Sequence, residues 1–488
     1  MNRELCYLSA TDAIRRFRAG TLSPVELMAS VLEAAREQQG NVNATTALYE
    51  ASALEQAQHA AMRYHEGTAR PLEGIPVAVK DESAVAGWTV SNGSLLKESV
   101  CDSNHPMVDR LLEAGAILHM QTTTPEFSCL GQTWSRRWGV TRNPWNLHYT
   151  CSGSSGGTAA ALAAGCAPLG TGSDMAGSIR LPAAFQGLYG YKPPFGRVPT
   201  GPGDELFAFA SEGPLARSFD DLVLMQNVIA GAHPASYAAL PFTPLPTRYD
   251  DLSGWKIAFN ATLGSPGISP AIEANLYAAI DGLRRRGAVV EQVDIDWNLE
   301  AVANTLIDGI FAIYFGEYLQ SMPDSDYPHL TTYMQQLWDK YRNRSVSLTP
   351  AAVYAAKLHS NMDAKVWSRG YRAFVCPTMF STEIAADFDP SITPRMDIEG
   401  ADVDSYLGWA ATPPFNLLGR YPVISVPTGF GTNSVPTGMQ IVAPPYQDEI
   451  AFQVAANHAA ADRLGLFTSV FPDFRRTPSD AHRKDNKQ

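Results

Sequence analysis

The sequence lacks several features that mark common classes of protein. Its 488 residues include only six cysteines, no two of which form a CxxC pair, and none of the ten histidines stands at metal-ligand spacing to them. A disulfide framework or a zinc site is therefore not expected. The formal net charge of −12 argues against nucleic acid as a partner, because phosphate binding needs clustered lysine and arginine.

Long apolar runs are absent as well. No run of about 18 apolar residues indicates a membrane span, and the first residues lack the apolar stretch of a secretory signal. We therefore expect a cytoplasmic protein that does not contact a membrane. Neither an internal repeat nor a linker rich in Gly, Ser and Pro divides the chain. We predict one domain over residues 1–473, with a helical layer over about 1–70, and a flexible tail over 474–488.

Segments typical of strands alternate with segments typical of helices. An apolar, β-branched run over 74–80 predicts a buried strand that ends in Lys80. Further strands are predicted over 255–259, 288–293, 373–376 and 423–426, and helices over 270–285, 302–322 and 348–369. The segment 255–293 thus forms a βαβ unit. The pattern predicts α/β architecture, with a large mixed β-sheet between layers of α-helices.

A glycine-rich segment over 149–185 contains many serines and threonines but no histidine. Ser154 precedes a pair of glycines, and Ser178 follows Gly177. Glycine permits tight turns whose N–H groups can point at an oxyanion, so either serine is a candidate nucleophile. Ordinary glycine turns that cap small helices are the structural alternative.

The residues Gly153 to Gly157 also match G-x-S-x-G, the nucleophile elbow of α/β-hydrolases, which would make Ser155 the nucleophile. This motif requires a central strand directly upstream. Pro144 and its polar neighbours disfavour such a strand, so we prefer the other serines.

The strand GIPVAVKD, the element GSSGG and the segment SDMAGSIRLPAAFQGLYGYKP together resemble the amidase signature family. The resemblance covers most of the chain and implies the amidase-signature fold. It also implies a Ser-cisSer-Lys triad of Lys80, Ser154 and Ser178, with an oxyanion hole formed by the amides of Met175, Ala176, Gly177 and Ser178. Three positions depart from the family pattern, namely Cys151-Ser152, Ala176 and Pro194. The Cβ of Ala176 bears on the shape of the substrate site.

A serine nucleophile needs a base, and lysine can act as one only when it is uncharged. Burial at the end of an apolar strand would keep Lys80 uncharged. The alternative is a salt-bridged Lys80, paired with Asp81 or Glu82. In the preferred mechanism Ser154 relays a proton between Lys80 and Ser178, and neither a cofactor nor a metal is needed. Two charged residues near the nucleophile, Asp174 and Arg180, are expected to fix its turn by hydrogen bonds or an ion pair.

The expected substrate is a small amide, ester or carbamate with an aryl or alkyl group. Candidate substrate contacts are Ser128, Cys129, Gly131, Phe311 and Tyr314, with Phe315 beside them. The stretch 199–207 is a candidate lid because of its glycines and prolines. The resemblance leaves two other functions open: the glutaminase subunit of a tRNA-dependent amidotransferase, and a non-catalytic binding protein on the same scaffold. A monomer or a homodimer is expected.

Overall fold

The computed structural model describes residues 2–201, 207–295, 297–310, 314, 316–345 and 347–475. Its helices are α1 (Arg3–Cys6), α2 (Ala10–Arg18), α3 (Pro24–Gln38), α4 (Glu50–Glu66), α5 (Pro106–Glu113), α6 (Gly156–Ala163), α7 (Arg180–Gln186), α8 (Phe219–Ile229), α9 (Pro270–Arg285), α10 (Leu299–Ile310), α11 (Gly316–Ser321), α12 (Thr332–Tyr341), α13 (Thr349–Lys365), α14 (Pro414–Leu417) and α15 (Asp448–Ala461).

Its strands are β1 (Thr45–Leu48), β2 (Pro76–Lys80), β3 (Thr89–Val90), β4 (Ser99–Val100), β5 (Ile117–Thr122), β6 (Trp134–Ser135), β7 (Gly139–Val140), β8 (Arg142–Asn143), β9 (Asn146–Thr150), β10 (Leu169–Asp174), β11 (Tyr189–Lys192), β12 (Ser211–Ala216), β13 (Lys256–Phe259), β14 (Val289–Gln292), β15 (Ala373–Pro377), β16 (Arg395–Ile398), β17 (Ala401–Asp404), β18 (Val423–Phe430) and β19 (Pro436–Val442).

Eleven of the described strands form one sheet, in the order β1-β5-β2-β10-β12-β11-β18-β19-β15-β13-β14. The strand β2 is parallel to both of its neighbours, β5 and β10, whereas β10 and β12 are antiparallel. The mixed sheet predicted from the sequence is therefore confirmed. The predicted βαβ unit is confirmed too, because β13 and β14 are parallel and α9 connects them.

Helices cover both faces of the sheet. On β18 and β19, alternate side chains point to opposite faces, as the period of a strand requires. Ile424 and Val426 belong to a core that also holds residues of α9 and α15, whereas Val423 packs in a second core with Phe185 of α7. The sheet thus lies between helical layers, as predicted. None of the described helices has the length and apolarity that crossing a membrane requires.

The N-terminal segment needs one correction. The layer predicted as helical over about 1–70 contains α1 to α4, but β1 interrupts it and pairs antiparallel with β5 at the edge of the main sheet. The β-branched residues Thr45 and Thr46 favour an extended backbone there. Of the predicted tail, residues 476–488 lie outside the described residues, and Arg475 forms an ion pair with Glu37.

Candidate active site

Lys80 is held at the carboxyl end of β2. The strand Pro-Val-Ala-Val-Lys is buried along its whole length between β5 and β10, and the Lys80 side chain has no solvent exposure. Its backbone N–H donates to Thr171 Oγ1 on β10 at 3.0 Å. The apolar run therefore delivers a lysine to the interior, as the sequence predicts.

The amine of Lys80 has three oxygen neighbours. Its Nζ atom lies 2.8 Å from Ser154 Oγ, 3.0 Å from Ser173 Oγ and 2.9 Å from Glu82 Oε1. The contact with Ser154 is the one that the proposed relay requires. The contact with Ser173 was missed, although Thr171 and Ser173 are two residues apart on β10 and so lie on the same face.

The sequence offers two acidic partners for Lys80, Asp81 and Glu82, and the structure pairs Lys80 with Glu82. Asp81 instead accepts hydrogen bonds from Ser91 Oγ at 2.5 Å and from Trp138 Nε1 at 3.2 Å, and burial raises its pKa despite these bonds. Glu82 Oε2 accepts from Ser128 Oγ at 2.5 Å. Burial raises the pKa of the Glu82 carboxyl, but the charge of Lys80 and the bonds from the serines outweigh it, so the pKa lies below its usual range.

Ser154 lies in a tight turn before α6. The Gly153–Ser154 peptide bond is cis, as the resemblance implies. A Cβ at Gly153 would lie 2.8 Å from the carbonyl oxygen of Gln132, so only glycine fits this close approach of two backbone segments. Thr124 Oγ1 donates to the Ser154 carbonyl oxygen at 3.2 Å. The turn thus fixes Ser154 beside Lys80.

Ser178 lies in a second turn, between β10 and α7. Gly177 has a φ of +122°, and a Cβ there would lie 2.1 Å from Thr412 Oγ1. Thr412 Oγ1 donates to the carbonyl oxygen of Ala176 at 2.6 Å and so holds the same turn. This glycine meets both requirements of its position, positive φ and close packing.

The geometry of this turn removes Gly177 from the predicted oxyanion hole. The Gly177 N–H donates to Asp174 Oδ1 at 2.9 Å, so this amide is already occupied. Gly177 also does not line the cavity that Met175, Ala176 and Ser178 line. The amides of these three residues remain candidates, and the sequence motif does not reveal the difference because it does not show where each N–H points.

Asp174 and Arg180 support this turn, as expected. Arg180 donates from Nε to Asp174 Oδ2 at 2.9 Å and from Nη2 to Oδ1 at 2.8 Å, and both side chains are fully buried. Asn416 Oδ1 and Gln440 Oε1 each accept from Arg180 at 2.6 Å. Burial raises the pKa of Asp174, but the charge of Arg180 and the bonds from Arg180 and Asn416 outweigh it, so the pKa lies below its usual range.

A cavity of about 740 Å³ lies between the turn that carries Ser154 and the turn that carries Ser178. Ser154 and Ser178 both line it, as do four of the five predicted substrate contacts: Ser128, Cys129, Gly131 and Tyr314. The fifth, Phe311, lies outside the described residues, as do Phe315 and residues 202–206 of the candidate lid. The sequence missed the apolar side chains that line the cavity, because they come from helices distant in the chain: Ile307, Ile310 and Leu337.

The nucleophile elbow at Ser155 is wrong. The Ser155 side chain is fully buried, its hydroxyl donates to the Ser173 carbonyl oxygen at 3.4 Å, and it does not line the cavity. The strand upstream is β9, which pairs with β8 in a two-stranded sheet, forms a single bridge to Ala385 through Tyr149, and is not part of the central sheet. The structural context that the elbow requires is therefore missing.

Comparison with known proteins adds independent findings. The family model for amidases matches residues 26–451. An acylamidase from Rhodococcus erythropolis is 29% identical and covers 98% of each chain. A glutamyl-tRNA(Gln) amidotransferase subunit from Deinococcus radiodurans is 32% identical over 94% of this chain and 98% of its own. The crystal structure of a bacterial aryl acylamidase from the amidase signature family has a TM-score of 0.86 at 24% identity, covering 96% of this chain and 98% of that one, and shows the fold.

Proposed function

The chain belongs to the amidase signature family, and from this premise we propose that it is a serine hydrolase whose nucleophile is Ser178. The observation that carries the proposal is the 2.8 Å contact between Lys80 Nζ and Ser154 Oγ, beside the cavity that Ser154 and Ser178 both line. A hydroxyl held against a buried amine can pass a proton, and this is what a serine nucleophile without histidine needs.

The proposed reaction is acyl transfer to water. Ser178 Oγ bonds to the carbonyl carbon, its proton moves to Ser154 Oγ, and Ser154 gives its own proton to Lys80 Nζ. The negative oxygen that forms accepts hydrogen bonds from backbone amides of the turn. The carbon–nitrogen bond then breaks as the proton returns along the same path to the leaving nitrogen. Water attacks the acyl-enzyme next, which releases the acid and restores Ser178.

The lining of the cavity supports an uncharged substrate with an aryl or alkyl group. Of the lining residues that the structure describes, Lys97 is the only lysine or arginine, whereas Glu82, Glu98 and Glu212 carry carboxylates. A free amino acid such as glutamine brings a carboxylate that a cation must neutralise. Apolar side chains and a volume within the range of small-molecule sites favour an anilide, an alkyl amide, an ester or a carbamate.

The second candidate is the glutaminase subunit of a tRNA-dependent amidotransferase. The 32% identity to such a subunit over almost the whole chain favours it. The two functions differ in what the isolated protein does. A stand-alone hydrolase cleaves simple amides without partners, whereas an amidotransferase subunit co-purifies with other chains and acts on glutamine.

The experiment that tests the proposal is hydrolysis by the purified chain. A panel of anilides, primary amides, esters and carbamates is assayed beside glutamine, and a fluorophosphonate probe locates the reactive serine by peptide mass. We expect cleavage of aryl or alkyl substrates and labelling of Ser178. Activity toward glutamine alone would favour the second candidate. A folded protein that the probe does not label and that cleaves nothing would favour a binding protein.

A further inference from the structure

The carboxylate of Glu82 is the charged group next to Lys80 that the proposed reaction does not yet use. It lies 2.9 Å from Lys80 Nζ, and its second oxygen accepts from Ser128 Oγ at 2.5 Å. The side chain is only 18% exposed and lines the same cavity as Ser178. Ser128 Oγ also lies 3.1 Å from Thr124 Oγ1, and the hydroxyl of Ser128 fixes the carboxylate from the side away from Lys80.

The neighbours of Lys80 Nζ are two hydroxyl groups and one carboxylate. A neutral amine has two hydrogens and one lone pair, and an ionised carboxylate can only accept. Lys80 Nζ donates a hydrogen bond to Ser173 Oγ at 3.0 Å, whereas Glu82 Oε1, at 2.9 Å, is an ion-pair neighbour that forms no hydrogen bond with the amine. Ser154 Oγ, at 2.8 Å, is the atom from which the proposed proton must arrive.

The charge of Glu82 matters when that proton arrives. Lys80 then becomes a buried ammonium ion, and a buried ion is costly unless an opposite charge is close. A carboxylate that orients a base and stabilises its protonated form is the role of aspartate in the Ser-His-Asp triad. Here the base is lysine, and the carboxylate comes from two residues further along the chain.

We propose that Glu82 is a positioning residue of this active site: its carboxylate, 2.9 Å from Lys80 Nζ, stabilises the ammonium ion that forms when Lys80 receives the proton from Ser154. The inference rests on the proposed function and adds to the triad a residue that acts through Lys80 and carries no proton itself. It gives the carboxylate next to Lys80 a role in catalysis rather than in packing alone.

Other titratable groups lie near this pair, although the carboxylate of Asp81 is turned toward Ser91 and Trp138, and all of them are unchanged in each variant. They are Asp81, His105, Glu126, Cys129 and Glu212. Burial lowers the pKa of His105 to about 4, and burial raises the pKa of the Cys129 thiol. Neither group therefore changes its charge near neutral pH.

The test measures how pH controls the reactivity of Ser178. The rate of fluorophosphonate labelling is followed by intact mass from pH 5 to pH 10 for the wild type and Glu82→Gln. We expect the maximal rate of Glu82→Gln to fall about 10- to 100-fold, because the charge that stabilises the protonated base is lost. We also expect the acid limb of its profile to move to lower pH by about 1 to 3 units, because the ammonium form loses its partner. Glu82→Asp keeps the charge and should keep the limb near its wild-type position.

Glu73→Gln is the matched control. Glu73 is 3% exposed, pairs with Arg70 Nε at 2.6 Å, and precedes β2 at the end away from Lys80. Its substitution removes a buried, ion-paired carboxylate outside the cavity, so we expect lower thermal stability with an unmoved acid limb. If Glu82→Gln lowers the maximal labelling rate but leaves the pH of the acid limb unchanged, Glu82 has only a packing role and the inference is overturned.

A second variant keeps the inference falsifiable if Glu82→Gln does not fold. In Glu82→Ala, added formate should restore the labelling rate and the limb, whereas formamide should restore neither. Rescue by both compounds, or by neither, would contradict the inference. A wild type that is labelled at no serine and cleaves no substrate refutes the proposed function instead, so the two failures are distinguishable.

Discussion

Arg180 meets Asp174 in a bidentate ion pair at 2.8 and 2.9 Å, and neither side chain has any solvent exposure. Between them in the chain lies the turn that carries Ser178. Planar guanidinium and carboxylate groups match each other in this geometry, and a lysine could not reproduce it. The pair therefore fixes both ends of the turn that presents the candidate nucleophile.

Loss of this pair should destabilise the protein strongly. We expect Arg180→Met to lower the free energy of unfolding by about 3–5 kcal/mol, because it leaves the carboxylate of Asp174 buried without its partner. Urea unfolding measures the change. Arg15→Met is the matched control, because Arg15 pairs with Asp12 in an exposed ion pair, and it should change stability little. A loss as small as in the control would show that Arg180 does not hold the turn.

The turn itself should tolerate no side chain at position 177. Gly177→Ala places a Cβ 2.1 Å from Thr412 Oγ1 at a φ of +122°, so the turn must shift. We expect kcat/KM to fall about 100-fold or more, since small displacements of reacting groups are costly. Gly40→Ala makes the same change where no atom lies within 4 Å and should keep wild-type activity. Wild-type kcat/KM in Gly177→Ala would contradict the importance of this turn.

Short-range sequence patterns predicted the helices and strands whose formation depends on residues close together in the chain. The helix predicted over 270–285 is α9 with the same bounds, since Pro270 stands at its first turn and an apolar face follows. The apolar run before Lys80 predicted β2 because a strand buried on both faces is apolar throughout. These features depend on neighbours a few positions apart.

Contacts between distant segments could not be predicted. Asn416 and Gln440 reach Arg180 from 236 and 260 residues away, and no spacing in the sequence indicates that they meet. Glu82 was only one of two candidate partners for Lys80, since residues next to each other on a chain do not reveal which one faces the amine. The occupied amide of Gly177 is a similar case, because a motif gives residue types and not the directions of N–H groups.

His119 should make the protein sensitive to mild acid. Its ring is fully buried with Nε2 2.9 Å from the Cys166 carbonyl oxygen, and burial lowers its pKa from 6.5 to about 4. Between these values the unfolded chain binds a proton that the folded chain does not, so stability falls as the pH drops from about 6.5 to about 4. The loss from this group is about 3 kcal/mol.

Urea unfolding at several pH values between 7 and 4 tests this effect. His119→Gln should flatten the decline by the same amount, whereas His65→Gln, which changes an exposed ring, should follow the wild type. Parallel curves for His119→Gln and the wild type would mean that His119 does not lose its proton on folding.

The triad is tested most directly by comparing adjacent serines. Ser178→Ala should abolish fluorophosphonate labelling and hydrolysis, because the nucleophile is absent. Lys80→Met and Ser154→Ala should keep the nucleophile but slow labelling by about 100- to 10,000-fold, the usual contribution of a positioned proton acceptor. Ser155→Ala removes a buried hydroxyl that does not line the cavity, and its labelling rate should stay within a few-fold of that of the wild type.

Ser154 and Ser155 are neighbours in one turn. A large loss of labelling rate in Ser154→Ala with a small loss in Ser155→Ala therefore separates proton relay from damage to the turn. Full activity in Ser178→Ala, or equal losses at both neighbours, would refute the assignment.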